Sequence, residues 1–251
     1  MAILIRLFLT LLIFVSQPSL ATLKESIEKI KPTVVAIGIY SPLASPRVKL
    51  VGTGFAVADG TQIATNYHVV SSALDVKKNE SYVVLSGKAD TVKIHPVLST
   101  QTDAAYDLAV LTIQSKLPAA SISEEPLSAE GTEIAFTGFP ITAVLGLYPA
   151  THKGIISAQT PVVIPADSSG QLQAAALRKL KQPYLVYQLD ATAYPGNSGS
   201  PLYDVHTAKV IGIINKVFIK STREAVLSDP SAISYAIPIN YIRPLLKKEN
   251  N

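Results

Sequence analysis

The chain has 251 residues, no cysteine, 48% hydrophobic and 16% charged residues, and a formal net charge of +4. That balance fits a well-buried globular protein and excludes a disordered chain, a disulfide scaffold, thiolate zinc sites and any cysteine nucleophile. Its basic residues are scattered, with only short pairs such as Lys77-Lys78 and Lys247-Lys248, so nothing in the charge pattern supports a nucleic-acid partner.

The first residues, "MAILIRLFLTLLIFVSQPSLA", carry one early positive charge at Arg6, an apolar core from Leu7 to Val15, and a small-residue ending at Ser19-Leu20-Ala21. This is the pattern of a secretory signal peptide cleaved after Ala21. The core is shorter than the roughly twenty apolar residues a membrane span requires. The mature chain from Thr22 is therefore expected to be exported, periplasmic or secreted, and free of the membrane once the signal peptide is removed.

"TLKESIEKIKP" follows, with capping-box spacing between Thr22 and Glu25 and Leu23, Ile27 and Ile30 on one helical face. Pro32 should stop this short helix. The pattern then changes to short strands: "TVVAIGIY", "GTGFAVAD", "QIATNYHV", "SYVVLSG", "TVKIHPVLS" and "LAVLTI" lie between Thr33 and Ile113. "QSKLPAASISEEPLSAEG", residues 114–131, reads as a linker. A second set consists of "TEIAFTGFP", "HKGIISAQ", "YLVYQLDA", "SPLYDV", "KVIGIINKVF" and "ISYAIPI". Two groups of six with no α/β alternation predict an all-β protein of two antiparallel barrels, over 22–113 and 132–251, because closure removes exposed edges. One alanine- and leucine-rich stretch, Ser169 to Pro183, predicts a helical insertion, and "NYIRPLLKKENN" a short helix with a polar tail.

The chemistry centres on "AYPGNSGSPL", Ala193 to Leu202. Glycine, proline, asparagine and serine punctuate ordinary turns, so alone it reads equally as a hairpin loop. A serine needs a base to become a nucleophile, and a histidine base needs a carboxylate to set its tautomer. "IATNYHVV" offers His68 where an apolar strand turns into a loop, and "YDLAVLTI" offers Asp107 at the mouth of an apolar strand, a costly place for an unpaired charge. Asp103 is a rival that reads as a solvated loop residue. His95 reads as an edge or core group, and His152 and His206 as surface residues. The four histidines have no paired helical spacing, so neither metal nor cofactor is implied.

Seven pieces, "GTGFAVADGTQIATNYHVV", "YDLAVLTI", "EIAFTGFP", "HKGIISAQ", "DATAYPGNSGSPL", "VIGIINK" and "SYAIPIN", resemble in order the trypsin-like, chymotrypsin-fold serine peptidases of bacterial HtrA/Deg type. The resemblance implies a serine endopeptidase acting on unfolded or extended polypeptides. It assigns His68 as base, Asp107 as its orienter, Ser198 as nucleophile, and the Gly196 and Ser198 amides as an oxyanion hole. By the same analogy Thr192 lies at the base of the primary substrate pocket, with Ile213, Ile214 and Asn215 beside it and Lys216 next along. With no acid at Thr192, a preference for lysine or arginine is not expected. The family usually has glycine where this chain has Ser200, and a serine there would be strained if the position required positive φ. HtrA-type chains usually continue into a PDZ domain, and none is expected after "AIPIN". The alternative is a silent or single-partner module of the same fold that acts mainly by binding.

Overall fold

The structure, a computed structural model, describes residues 21–88, 91–140, 147–162, 184–215 and 234–246. Residues 1–20 of the expected signal peptide, the expected insertion from Ser169 to Pro183, Lys216 and the polar tail from Lys247 lie outside the described residues. The N-terminal helix α1 (Leu23–Ile30) forms where its capping box predicts. Thr22 Oγ1 accepts the Glu25 amide at 3.3 Å, and Glu25 Oε2 accepts the Thr22 amide at 2.7 Å. Pro32 then turns the chain into a 3₁₀ segment, Lys31–Thr33. The buried face of α1 is tied to the far half of the molecule: Ser26 Oγ donates to the Val205 carbonyl at 2.6 Å.

Strands β1 (Val34–Tyr40), β2 (Val48–Val57), β3 (Gln62–Thr65), β4 (Ser81–Ser86), β5 (Lys93–Asp103) and β6 (Leu108–Ile113) close into one barrel in the order β1-β2-β3-β6-β5-β4. A second barrel closes from β7 (Glu133–Gly138), β8 (Ala150–Pro161), β9 (Leu185–Asp190), β10 (Pro201–Asp204), β11 (Val210–Ile214) and β12 (Ser234–Pro238), in the order β10-β11-β12-β9-β8-β7. Two six-stranded antiparallel barrels are the architecture the strand pattern predicts. Closure leaves neither sheet with an open edge to template aggregation.

Strands β1, β6, β7 and β11 read as near-continuous apolar runs because both of their faces are largely buried, whereas β5 and β8 are mostly exposed or half-buried. In β1, Val34 and Ala36 join a cluster that also holds Phe55, Tyr203, Ile213 and Ile242 and so spans both barrels. Val35 and Ile37 point the other way, into a cluster confined to the first barrel. Ile134, Phe136, Leu202 and Ile214 belong to the matching cluster of the second. Residues 114–131 stitch the halves together: the Ala120 amide donates to Ala56 and the Ser123 amide to Val210, each at 2.8 Å. The chain then closes with a 3₁₀ turn, Ile239–Ile242, and the short helix α2 (Arg243–Leu246), which buries Leu245. Among the described residues no helix is long and apolar enough to cross a membrane.

Candidate active site

Strand pairing brings His68 to Asp107. Thr65 at the end of β3 lies opposite Ala109 in β6, so the residues just after one strand face those just before the other. The sequence pattern extends the strand to Val69, but the ladder stops at Thr65 and His68 sits on a 3₁₀ turn, Tyr67–Val69. The loop before β6 explains the early stop. Its Asp107 carbonyl accepts the Tyr67 amide at 3.1 Å and Asn66 Nδ2 at 3.2 Å, which draws the chain out of the sheet.

Asp107 holds His68 twice. Its Oδ1 accepts the His68 amide at 2.9 Å, and its Oδ2 lies 2.7 Å from the ring Nδ1. An ionised carboxylate can only accept, so the proton of the neutral ring sits on Nδ1 and the Nε2 lone pair is free. Asp107 adopts φ +54, a left-handed conformation that aspartate tolerates better than most residues. Tyr106, Tyr184 and Tyr241 pack behind it, with Tyr106 and Tyr241 stacked at 4.6 Å between ring centres and Tyr184 edge-on to Tyr106 at 4.8 Å. Burial pushes the Tyr184 phenol well above its ordinary range, and the negative charge of Asp107 adds to the effect. Asp103 turns away and caps the loop, its Oδ1 accepting the Ala105 and Tyr106 amides at 2.9 and 3.2 Å.

The Ser198 loop docks on β2 of the opposite barrel. The Thr53 amide donates to the Ser198 carbonyl at 2.9 Å, and Thr53 Oγ1 donates to the Gly196 carbonyl at 2.7 Å. Gly196 and Gly199 have φ of +99 and +88, the region where only glycine is unstrained. A Cβ on Gly199 would collide with the Thr53 carbonyl oxygen and Thr65 Oγ1. Of the five successive amides from Gly196 to Ser200, three have backbone acceptors: Asn197 to Tyr194 and Ser200 to Asn197 within the loop, each at 3.0 Å, and Gly199 to Ile214 of β11 at 2.9 Å. Among the described residues the Gly196 and Ser198 amides have no such acceptor. Ser198 and the His68 turn meet at one seam, because Gly52 lies between the Val69 side chain and the Ser198 carbonyl. No hydrogen bond among the described residues joins Ser198 Oγ to the imidazole.

Two expectations need correction, and a third was conditional. Ser200 does not take positive φ, so the condition for strain is not met. It is fully buried instead, and its hydroxyl fills the space that a Cβ on Gly138 would need. Ile213 and Ile214 are fully buried, Ile213 in the cluster spanning both barrels and Ile214 in that of the second, so neither side chain faces solvent. Thr192 and Asn215 are half-buried, and the Asn215 amide is held by the Tyr235 carbonyl at 2.9 Å. His152 is half-buried rather than free at the surface: it stacks on Phe136 at 4.9 Å and buries Nε2 without a hydrogen-bond partner, and burial holds its pKa below the ordinary value. His206 does lie at the surface, 3.6 Å from Glu133. His95 is a satisfied core group between Ser86 and Ser115 at 2.8 and 2.9 Å. Thr53, Thr65 and Gly138 escaped the sequence reading, since "GTGF", "IATN" and "FTGF" carry only strand signals.

Two closed antiparallel barrels, with an imidazole–carboxylate pair from one facing a serine loop from the other, define a chymotrypsin-like double-barrel protein. The chain belongs to the trypsin-like peptidase domain family, whose model matches residues 52–213. It is 30% identical over 190 residues to a probable periplasmic serine endoprotease DegP-like of Pseudomonas savastanoi pv. phaseolicola, covering 75% of this chain and 32% of that one. It is 28% identical over 217 residues to the magnetosome formation protease MamE of Magnetospirillum gryphiswaldense, covering 82% and 24%. The chain thus spans a quarter to a third of the length of these curated relatives. Among solved structures, the serine endoprotease from Yersinia pestis superposes with a TM-score of 0.62 at 25% identity, covering 90% of this chain and 66% of that one. The active form of the Rv3671c protease from M. tuberculosis gives 0.64 at 21% identity, covering 88% and 82%.

Proposed function

We propose that the chain is a serine endopeptidase that cleaves extended polypeptides through an acyl-enzyme, with His68 as general base, Asp107 as its orienter and Ser198 as nucleophile. The observation that carries the reading is the doubly held His68, whose Nε2 is left as the basic atom beside a serine loop. Ser198 Oγ attacks the scissile carbonyl carbon while its proton passes to Nε2. The oxyanion of the tetrahedral intermediate is taken by the Gly196 and Ser198 amides, the two in that loop with no backbone acceptor. Nε2 then gives the proton to the departing amine, and water resolves the ester by the same path in reverse. Catalytic hydrogen bonds commonly tighten only in the substrate complex, which accommodates the missing contact between Ser198 Oγ and the ring.

The primary pocket is built around Thr192 and Asn215 together with backbone, given the full burial of Ile213 and Ile214. With threonine and no carboxylate at its base, the pocket does not select lysine or arginine. Export is part of the same reading, supported by the signal-peptide pattern of the first residues and by the periplasmic naming of the DegP-like relative.

A fluorophosphonate probe tests the mechanism. Wild-type protein should be labelled at Ser198, Ser198→Ala not at all, and His68→Ala at a rate lower by at least a hundredfold. Casein should be degraded by the wild type only. Folded wild-type protein that neither labels nor cleaves would overturn the reading in favour of a binding module.

A further inference from the structure

Thr53 lies in the middle of β2, fully buried, in the barrel that does not carry the serine. Nothing in its chemistry makes it a proton carrier or a nucleophile here. Yet all of its polar groups are committed, and all to the seam. The amide donates to the Ser198 carbonyl at 2.9 Å. The hydroxyl donates to the Gly196 carbonyl at 2.7 Å and accepts the Phe139 amide at 3.1 Å. The carbonyl accepts Thr65 Oγ1 at 2.8 Å, three residues before His68. A hydroxyl has one proton to give and lone pairs to receive, so this is a consistent set for a single rotamer.

We infer that Thr53 is a positioning residue for the oxyanion-binding loop: its hydroxyl holds the Gly196 carbonyl so that the Gly196 and Ser198 amides stay turned toward the reacting oxygen. The inference rests on the peptidase reading above. The peptides flanking those two amides are pinned from outside the loop, at Gly196 by Thr53 Oγ1 and at Ser198 by the Thr53 amide. Glycine at 196 has a wide choice of backbone conformations, so a contact from outside the loop helps to fix it at φ +99. The backbone contact to Ser198 survives any substitution at position 53 other than proline, whereas the contact to Gly196 depends on the hydroxyl alone. Through Thr65 the same residue ties the loop to the strand that leads into His68. A rigid partner outside the loop is what preorganised donors require, since their value lies in needing no rearrangement during reaction.

The test compares Thr53→Val, Thr53→Ser and Thr53→Cys with wild type in steady-state cleavage of a fluorogenic peptide, alongside inhibition by a peptide aldehyde. Removing an oxyanion donor outright costs on the order of 10²–10³ in kcat, so mispositioning one should cost roughly 10- to 100-fold. Thr53→Val is expected to lose that much in kcat with KM within about threefold, and to bind the aldehyde more weakly in proportion. Thr53→Ser keeps the hydroxyl and should stay within about threefold of wild type. Should Thr53→Val fail to fold, Thr53→Ser and Thr53→Cys still decide: both lack the methyl and differ by one atom. The weak thiol donor should cost at least about fivefold in kcat relative to serine. A Thr53→Val enzyme with wild-type kcat, a Thr53→Ser enzyme as slow as Thr53→Val, or equal Ser and Cys variants would overturn the inference and leave the peptidase reading standing. A wild-type protein without activity or probe labelling would remove both.

Discussion

Replacing Asp107 by asparagine separates its chemical role from its structural one. Asparagine keeps an oxygen that can accept the His68 amide, now made at 2.9 Å, and it tolerates the left-handed backbone at φ +54 as well as aspartate does. The fold should survive, with a melting temperature within about 4 °C of wild type, the shift expected for about 1 kcal/mol in a chain of this size. The chemistry should not. In the proposed mechanism the ring of His68 becomes cationic during attack, 2.7 Å from Asp107 Oδ2. With charge centres about 4 Å apart and an effective dielectric of about 20, that pair contributes about 4 kcal/mol, or roughly 10³ in rate. The two side chains are 33% and 20% exposed, so solvent trims this figure without erasing it. The tautomer acts in the opposite sense: an amide facing Nδ1 as donor drives the ring proton to Nε2 and blocks the base, which brings the expected loss to roughly 10³–10⁴. The assay is kcat/KM on a fluorogenic peptide at pH 7.5 with thermal denaturation in parallel. A folded Asp107→Asn enzyme within tenfold of wild type would refute the reasoning.

Gly199→Ala should cost about 2–4 kcal/mol in urea denaturation and most of the activity, because it adds positive-φ strain and a collision with Thr53 and Thr65; a neutral result would mean the loop does not sit against β2. Gly138→Ala should destabilise by a similar amount, since its methyl would overlap the Ser200 hydroxyl. Adding Ser200→Gly should recover at least about 1 kcal/mol of that loss, a coupling that a double-mutant cycle reads directly. His95 and His152 are both held below their ordinary pKa by burial, with Lys93 adding to the effect at His95. The unfolded chain therefore takes up protons below about pH 6.5 that the folded chain refuses, and stability present above that pH is lost as pH falls. His152→Phe keeps the ring stacked on Phe136 and should flatten the fall in melting temperature between pH 7 and 5; an unchanged slope would rule His152 out as a contributor.

The strands themselves were legible because both faces of β1, β6, β7 and β11 are largely buried, which writes each as an apolar run between turn residues, while their order within each barrel was not read from the sequence. The loops were less so. A carboxylate beside β6 and a histidine beyond β3 could be picked out as chemically misplaced, but the early end of β3 could not, since it follows from a carbonyl at Asp107 that meets Tyr67 and Asn66 only in the fold. Ile213 and Ile214 looked like pocket walls by analogy, whereas β11 turns one into the cluster spanning both barrels and the other into the second barrel's core. Whether Ser200 is strained turned on a dihedral that the residue type does not reveal. The observed fit of its hydroxyl against Gly138 is a property of the pair, and no single position carries the signal.

The division of labour between the barrels has a mechanical consequence. The first holds His68 and Asp107, the base and carboxylate of the proposed mechanism, through β3–β6 pairing and the two bonds from Asp107, with Tyr184 and Tyr241 packed nearby. The second carries a serine loop with positive-φ glycines at 196 and 199, a poor design for rigidity if left to itself. What fixes that loop is external: Thr53 from β2, the Ile214 carbonyl from β11, and the packing of Gly199 against Thr53 and Thr65. Two of those three supports cross from the other barrel. A change that shifts the barrels relative to one another, even in the shared cluster of Phe55, Tyr203 and Ile242, acts directly on the loop's cross-barrel supports, whereas both hydrogen bonds that hold His68 lie within the first barrel. Under the proposed mechanism, catalysis should weaken at the oxyanion site first, while the base remains held.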